Sequence, residues 1–446
     1  MNLIIFFFLT KLLLAIFPHY QNAVEYKTVV ILKPAGNVLM TDIIQKAVDQ
    51  CAAKGGGTVR LTAGTYKSGT IELKSNVTLK LDKDVLLNGS DKYSDYKNDA
   101  FFHGKNLSGV TIEGEGIIDG VDCYNPKGEE GFRGPHCIRL INCSDIKLEG
   151  ITIKNSANWA INCRYCSHGI VTNVTIRGGH DGLHTRFCDN FKVTGCDFRT
   201  GDDAFAGNDN RDFDISNCLV NTSCNGFRLG CMNLSVKHCT IWGPGESVHK
   251  IQKRNNMLSV FVHFSPEDEH PKLASGNWTI EDITVKDVDN FFMYNYENGL
   301  WQTGQPFTLV TFDAIRATGI LNAFYIQGDS AHNFNMNLKN SLFSYRTREV
   351  KKYDVFEGAK LKSGEFFYAN SFNSISLENV TFEKGDSSAL LKAENGKEIS
   401  LYNVGFIWLS VDKPFIFNRI TDIKKNRCYN NNYDLLNDVD LEMPRK

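Results

Sequence analysis

Proline is scarce in this chain, and so is an excess of charge of either sign. Only 10 of the 446 residues are Pro, and no Pro- or Ser-rich linker interrupts the sequence. Lys and Arg (49) nearly balance Asp and Glu (51), so the formal net charge is −2. This balance argues against the basic surface of a nucleic-acid-binding protein and against the acidic composition of a disordered chain. The length alone is typical of about three domains, but the lack of linkers favours one continuous folded body.

Long apolar runs are also missing, with one exception at the N-terminus. Ile4–Phe17 is apolar apart from Thr10 and Lys11, which is shorter than the roughly 18 uninterrupted apolar residues of a membrane-spanning helix. We interpret residues 1–23 as a signal peptide, with an uncleaved membrane anchor as the alternative. The prediction is an exported protein, secreted or periplasmic and not inserted in a membrane after signal removal, in which residues 24–446 form one domain.

No cysteine spacing typical of a zinc site occurs among the 13 cysteines, and their number is odd. Cys196, Cys218 and Cys239 recur at intervals of 22 and 21 residues. A cysteine that returns at one position of a repeat is best explained as a small apolar core residue stacked on its copies. We therefore predict no metal site, and leave open a disulfide such as Cys163 with Cys166.

An internal repeat dominates the sequence. Short segments with one apolar–polar pattern begin about 22 residues apart, at residues 150–153, 173–176, 195–198, 217–220 and 238–241. Weaker copies lie at residues 76–79, 282–285, 340–343, 379–382 and 403–406. The alternation is that of β-strands, and Gly, Asn and Asp supply turns between the copies.

This repeat predicts an all-β fold, a right-handed parallel β-helix in which each coil packs on its neighbours. An antiparallel sandwich also has frequent short strands, but it has no reason to keep a 22-residue period. We expect one amphipathic helix at about 41–55 to cap the N-terminal end, with Thr41 as its N-cap and Ile44, Val48 and Cys51 facing the core. The tail at about 424–446 is the candidate cap for the other end.

Carboxylates worth attention fall on two successive coils. Asp181 and Asp203 are 22 residues apart, and Asp202 precedes the latter. Equivalent positions on stacked strands lie about 4.8 Å apart, so three carboxyl groups should converge, and like charges so close raise the pKa of at least one. Aspartates at turns are also ordinary, and a carboxylate cluster suits calcium as well, so the cluster alone does not decide its role.

Several segments together resemble the polygalacturonase family of glycoside hydrolases, from about Asp42 to Leu234. They are residues 55–61, 64–69, 73–81 and 114–120, followed by Asp181 and the pair Asp202–Asp203, which match that family's aspartate motifs in order and spacing. The resemblance implies inverting hydrolysis of a glycosidic bond without a cofactor. It also implies that Asp202 protonates the leaving oxygen while Asp181 and Asp203 position and activate water.

The chain departs from the family pattern around these aspartates. Where the family has Gly-His-Gly, this sequence has Cys224-Asn225-Gly226, and the family's Arg-Ile-Lys motif is absent. The residues left as candidates for replacing the lost imidazole or for binding substrate are His180, His184, Asn225, Arg228, Lys250, Lys253 and Arg254. Galacturonan is therefore not implied as the substrate, and another sugar polymer or oligosaccharide is open.

The sequence thus predicts a monomeric glycoside hydrolase that acts on a plant- or algal-type polysaccharide or a derived oligosaccharide. Two alternatives stay open. One is a polysaccharide lyase on the same fold, which would use calcium and a Lys or Arg base. The other is a non-catalytic carbohydrate-binding solenoid, for which the missing histidine is the best argument.

Overall fold

The computed structural model describes residues 28–35, 38–266, 270, 272–296, 304–345, 365–384, 390–408, 415–430 and 441–442. The predicted signal peptide, residues 1–23, lies outside them. Within the described residues no helix is long and apolar enough to cross a membrane.

The described elements are one α-helix, two short 3₁₀ turns (Tyr93–Asp95 and Glu129–Gly131) and many short strands. The first part of the chain forms β1 (Thr28–Leu32), α1 (Thr41–Ala52), β2 (Gly57–Leu61), β3 (Gly64–Ser68), β4 (Ile71–Glu72), β5 (Val77–Leu81), β6 (Val85–Gly89), β7 (Ala100–Lys105), β8 (Thr111–Gly114), β9 (Ile117–Asp119), β10 (His136–Ile141), β11 (Ser144–Glu149), β12 (Thr152–Lys154), β13 (Ile161–Arg164), β14 (Ser167–Thr172), β15 (Thr175–Gly178), β16 (Leu183–Arg186) and β17 (Asp189–Thr194).

The later part forms β18 (Asp197–Thr200), β19 (Phe205–Ser216), β20 (Leu219–Thr222), β21 (Asn225–Trp242), β22 (Ser259–His263), β23 (Gly276–Lys286), β24 (Asn290–Asn295), β25 (Leu309–Ile320), β26 (Asn322–Gln327), β27 (Asn335–Tyr345), β28 (Phe367–Lys384), β29 (Leu391–Trp408), β30 (Phe415–Asn426) and β31 (Leu441–Glu442).

The strands wind into a right-handed parallel β-helix, as the repeat predicted. Each strand pairs in parallel with its equivalent one coil later, and the sequence copies are in register: Thr152 pairs with Thr175, which pairs with Asp197. The column continues from Asp197 to Leu219 and Thr240. Inward side chains of successive coils stack on one another, for example the rings of Phe205 and Phe227, whose centroids are 4.7 Å apart. The core therefore runs along the helix axis.

The cysteines belong to this core. All 13 are buried and none forms a disulfide, so Cys163 and Cys166 are not joined. Cys196, Cys218 and Cys239 each have about 1–2% of their surface exposed, as expected of small apolar residues stacked at one position of the repeat.

Helix α1 caps the N-terminal end and buries Ile44, Val48 and Cys51, as predicted. The prediction that Thr41 is its N-cap is wrong, because Met40 holds that position without a side-chain cap. The Thr41 hydroxyl instead accepts a hydrogen bond from the backbone N–H of Gly69 (2.8 Å), which ties the helix to the coil beneath it. At the other end, β30 and β31 continue the parallel pairing into the predicted tail.

Candidate active site

The turns before β16 and β19 bring three aspartates together. Asp181 lies just before β16, and Asp202 and Asp203 lie just before β19, one coil further along the axis. Backbone hydrogen bonds hold the two turns in register, from Gly182 N–H to the Asp203 carbonyl (2.9 Å). A carboxylate oxygen from each aspartate lies within 4.8 Å of the others. The convergence expected from the 22-residue spacing is therefore present.

The three carboxylates have different surroundings. Asp202 is 17% exposed, whereas Asp181 and Asp203 are 3% and 2% exposed. Asp203 accepts a hydrogen bond from the Asn225 side-chain amide (2.8 Å) and pairs with the Arg228 guanidinium. Asp181 lies 2.8 Å from Nδ1 of His184. Only Asp202 and Asp203 border the open space described next.

That space is a cleft of about 250 Å³. Its lining includes Glu130 and Arg133, from the segment before β10, and the apolar residues Leu258 and Phe264. The Arg228 guanidinium lies over the Phe264 ring, 4.0 Å from its centroid. The loop after β21 contributes His249, Ile251 and Gln252 to the lining, which also includes Asp202 and Asp203.

This loop, residues 244–256, is called the strap below because it runs back along the axis over earlier coils. The Ser247 carbonyl accepts a hydrogen bond from Ser223, and Lys250 pairs with Asp122, several coils away (2.9 Å). The strap lies so close to the coils that a Cβ on Gly201 would be 2.6 Å from the Val248 carbonyl oxygen. Gly201, the first residue of Gly-Asp-Asp, is thus required by the close approach of the strap.

The strap places a histidine beside Asp202 that the sequence analysis did not predict as a site residue. His249 is 3% exposed, and its Nε2 lies 3.5 Å from Asp202 Oδ2. Its Nδ1 accepts backbone N–H hydrogen bonds from Ile251 (3.2 Å) and Gln252 (3.1 Å). Because Nδ1 is an acceptor, the ring proton of neutral His249 is on Nε2, which faces Asp202. An imidazole therefore stands beside the aspartates although the family's Gly-His-Gly is missing.

Arg133 was missed as well. Its guanidinium is bound by Glu130 (Nε to Oε2, 2.6 Å) and by the Asn158 side-chain oxygen (3.3 Å). Its Nη2 lies 3.9 Å from Asp202 Oδ2. Asp202 is therefore approached by a cation and by His249, both of which line the cleft.

These neighbours shift the pKa values of Asp181 and Asp202 in opposite directions. Burial, together with the negative charges of Asp202 and Asp203, raises the pKa of Asp181 well above its ordinary value. Burial would also raise the pKa of Asp202, but His249, Arg228 and Arg133 outweigh it and lower that pKa below the ordinary range. In the free protein a proton shared by the group therefore resides on Asp181, and Asp202 is a carboxylate.

Of the predicted substrate-binding residues, Asn225 and Arg228 border the cleft, whereas His180 and His184 do not. His184 contacts Asp181 instead. The His184 ring stacks on Trp159 at 3.6 Å, and its Nε2 is buried without a hydrogen-bond partner. His180 is buried against Phe132, with ring centroids 5.9 Å apart, and burial lowers its pKa to about 3.

The three cations of the strap lie elsewhere, which corrects their expected position. Lys250 and Lys253 line a neighbouring cavity of about 340 Å³, which meets the cleft only at His249. Arg254 is 7% exposed and donates to the carbonyl oxygens of Ser223 and Asn256. The sequence spacing predicted that they lie near the aspartates. Instead, Lys250 and Lys253 face the neighbouring cavity, and Arg254 hydrogen-bonds to backbone carbonyls and so stabilises the end of the strap.

The donor sets here do not suit a metal ion. Calcium takes six to eight oxygen ligands, but one oxygen of Asp181 and both of Asp203 already face protein donors, and two guanidinium groups lie beside the cluster. Asp202, Cys224 and His249 also converge within 4.8 Å. Burial raises the pKa of the Cys224 thiol well above its usual value, so the thiolate that zinc requires is disfavoured.

Comparisons with known proteins show which family the site-bearing part of the chain resembles. Residues 51–232 match the model of glycosyl hydrolases family 28. An exo-poly-alpha-D-galacturonosidase of Dickeya chrysanthemi is 32% identical over 168 residues, which are 32% of this chain and 27% of the relative. A probable polygalacturonase of Vitis vinifera is 26% identical over 167 residues, covering 32% of this chain and 34% of the relative. The chain thus spans about a third of the length of these relatives.

A solved structure agrees in fold. The family 28 exopolygalacturonase of Yersinia enterocolitica superposes with a TM-score of 0.53 at 16% identity, covering 83% of this chain and 78% of that one. The matched segment 51–232 contains all three aspartates, together with Asn225 and Arg228. Over that segment, the chain is similar to the polygalacturonase-type proteins of glycosyl hydrolases family 28, from which it diverges elsewhere.

Proposed function

We propose that this protein is an exported, monomeric glycoside hydrolase that cleaves a plant- or algal-type polysaccharide or an oligosaccharide derived from it. The observation that carries the proposal is the cluster of Asp181, Asp202 and Asp203, whose carboxylate oxygens lie within 4.8 Å of one another, with Asp202 and Asp203 bordering a cleft. The similarity to that family and the names of the relatives support glycosidic-bond hydrolysis.

The roles follow from position. Asp202 borders the cleft and is the member that a bound sugar would cover, so substrate binding removes water from it and raises its pKa. The proton held by Asp181 in the free protein then becomes available to Asp202, which donates it to the leaving oxygen. Asp203, which borders the cleft, orients the attacking water; the proton of that water passes to Asp203 and the neighbouring Asp181, and the sugar product and the leaving alcohol separate.

Inversion at the anomeric carbon is part of this proposal, on the strength of the family resemblance. The carboxylate spacing is closer to the separation of about 5–5.5 Å in retaining enzymes than to the 6.5–9.5 Å of inverting ones. A crowded triad differs from a simple pair, since water can be held by two aspartates against the third. The anomer of the first product, observed by NMR in the first minutes of reaction, decides between the two outcomes.

The test is a screen of purified protein on polygalacturonate, rhamnogalacturonan, arabinogalactan, alginate, agarose and carrageenan, with reducing sugar and product linkage as readouts. Both arginines that border the cleft are already paired with acidic side chains, so neutral polymers belong in the screen beside uronates. Release of reducing sugar from at least one polymer is expected. A protein that binds these polymers and cleaves none is the carbohydrate-binding solenoid instead.

Chelation separates hydrolysis from elimination. We expect EDTA to leave the rate unchanged, because the carboxylates are occupied by protein donors rather than arranged for calcium, and we expect no ultraviolet-absorbing unsaturated product. Activity that is lost with EDTA and restored by calcium, together with unsaturated products, would identify the lyase.

His249 provides a further prediction. In His249→Ala, Asp202 loses the side-chain donor nearest to its carboxylate, so its pKa should rise and the pH profile of kcat/KM should move upward by roughly half to one pH unit. His249→Gln keeps a donor and should move the profile less. If both variants lose activity at every pH without a shift of the profile, His249 serves only to hold the strap in place.

A further inference from the structure

A second cavity, of about 290 Å³, lies at the other ends of the strands that carry the aspartates. Its lining includes Tyr165, Phe187, Asp189, Asp209, Arg211 and Leu273. Tyr165 directly follows β13 and Phe187 directly follows β16, whereas Asp181 lies before β16. This cavity is called the ladder pocket below.

Two stacked rings form its base. Tyr165 and Phe187 are one coil apart, with ring centroids separated by 4.7 Å and planes inclined by 10°. Tyr165 is 48% exposed. The Arg164 guanidinium lies over both rings, 5.3 Å and 5.9 Å from their centroids. The two rings thus form an aromatic surface that the described part of the protein covers only partly.

The column of rings stops where the cavity begins. The next coil carries Asp209 at the equivalent position, 22 residues after Phe187. Its carboxylate accepts backbone N–H hydrogen bonds from Lys272 (2.8 Å) and Leu273 (2.6 Å), so it is turned toward that segment. The ladder pocket occupies the place where a third ring would stack on Phe187.

The backbone adds an independent observation. Tyr165 and Phe187 have φ of 55° and 54°, and they are the only Phe, Tyr or Trp with positive φ in the part of the chain that the structure describes. On the preceding coils the same turn is occupied by Asn106 and Asn142, whose side chains hydrogen-bond to each other (2.7 Å). Asparagine tolerates this conformation, but bulky side chains do not. Strain that is kept at two adjacent rungs indicates a function for the rings.

We propose that the ladder pocket binds one sugar ring of a polysaccharide, with the apolar face of the pyranose stacked on Phe187. Aromatic rings suit sugars because a pyranose has an apolar C–H face and a polar rim. The rim of the pocket offers both kinds of partner, since Asp189 and Arg211 form an exposed ion pair (2.6 Å) that can accept and donate hydrogen bonds. The pocket mixes both signs of charge, which does not favour a polyanion such as nucleic acid.

Position favours the substrate polymer itself as the ligand. Phe187 is six residues after Asp181 on the same coil, which limits their separation to at most about 22 Å. An oligosaccharide of a few sugars covers that span, so one chain can occupy the cleft and the ladder pocket together. This part of the inference rests on the proposed function, whereas sugar binding at the pocket does not.

The experiment replaces each ring by asparagine, the residue found at the same turn position on the two preceding coils. Phe187→Asn and Tyr165→Asn keep a side chain suited to positive φ and remove the stacking surface, while Tyr402→Asn, at an exposed tyrosine of β29, is the matched control. Binding of the six screened polysaccharides is measured by calorimetry in Asp202→Asn protein, so that no substrate is consumed. We expect at least one polymer to bind roughly fivefold to tenfold more weakly in both ring variants and unchanged in the control.

A second readout uses the active protein. In the ring variants KM for the polymer should rise with kcat unchanged, and KM for a disaccharide of the same sugar, which is too short to reach both places, should not change. Affinities that are equal in wild type and ring variants for every polymer overturn the inference even if hydrolysis is found. Adenosine titrated in parallel should not bind, and its binding in place of sugar would also overturn it. A protein that cleaves nothing but loses polysaccharide affinity in the ring variants contradicts only the proposed hydrolase.

Discussion

Asp202→Asn should lower kcat by roughly 10²–10⁴-fold, which is the usual contribution of a positioned general acid. The amide cannot donate a proton of carboxylic acidity to the leaving oxygen. The fold should be preserved, because the Asp202 oxygen that accepts the Asp203 backbone N–H (3.1 Å) has an equivalent in asparagine. Polysaccharide binding should therefore remain while turnover is lost.

The matched control is Asp214→Asn, which changes an exposed aspartate of β19 outside the cleft and should retain wild-type turnover. The substrate should have a poor leaving group, since a good one departs without protonation. If Asp202→Asn cleaves such a substrate at the wild-type rate, the acid is not Asp202, and Asp181, which holds the proton in the free protein, is the next candidate.

The second large effect concerns stability in acid. His263, at the end of β22, is fully buried against Phe307, Tyr294 and Trp278, and neither ring nitrogen has a hydrogen-bond partner. Burial lowers its pKa to about 3, against about 6.5 in an unfolded chain. Because the folded-state pKa is the lower one, protons bind preferentially to the unfolded chain at pH below about 6.5. The free energy of unfolding therefore falls as the pH drops from about 6.5 toward 3.

The expected loss from His263 alone is about 1.4 kcal/mol per pH unit in that window, or roughly 2–3 kcal/mol between pH 6.5 and 4.5. His263→Phe should remove this contribution, because phenylalanine fits an aromatic cluster and cannot be protonated. Urea denaturation of both proteins at pH 7 and pH 4.5 measures it as a smaller pH difference in the variant. His168→Gln, at an exposed histidine, should behave as wild type. Equal pH differences in His263→Phe and wild type would show that His263 stays neutral in the unfolded chain or gains a partner on protonation.

Much of this architecture could be predicted from the sequence, because the length of each β-helix coil appears there as a repeat of about 22 residues. A step of 21 to 23 residues places strands in register, and the same step placed Asp181 over Asp203. Residues within the coils were therefore found: the three aspartates, Asn225, Arg228 and the stacked cysteines. Thr41 was misassigned because its hydroxyl is used across to Gly69, a contact that no local pattern reveals.

The residues that were missed lie in loops outside the period. His249 comes 47 residues after Asp202, in a strap that runs across the coils, and Arg133 comes from the segment before β10. Neither has a repeat partner, so spacing carries no signal for them. One clue was present in the sequence: Gly179 and Gly201 sit one coil apart before the aspartates, and the structure shows that both are covered by the strap.

In this fold, different parts of the chain position the aspartates and lower the pKa of Asp202. The coils position the three aspartates. One contiguous segment, the strap (residues 244–256), places His249 beside Asp202 and thereby lowers the pKa of that aspartate. Exchange of the strap between related chains should therefore change the pKa of this aspartate, and with it the pH dependence of activity, while the coils of the β-helix stay unchanged. Among related chains, differences in the pKa of this aspartate are then expected to follow changes in this loop, besides changes at Arg133 and Arg228, which lower the same pKa.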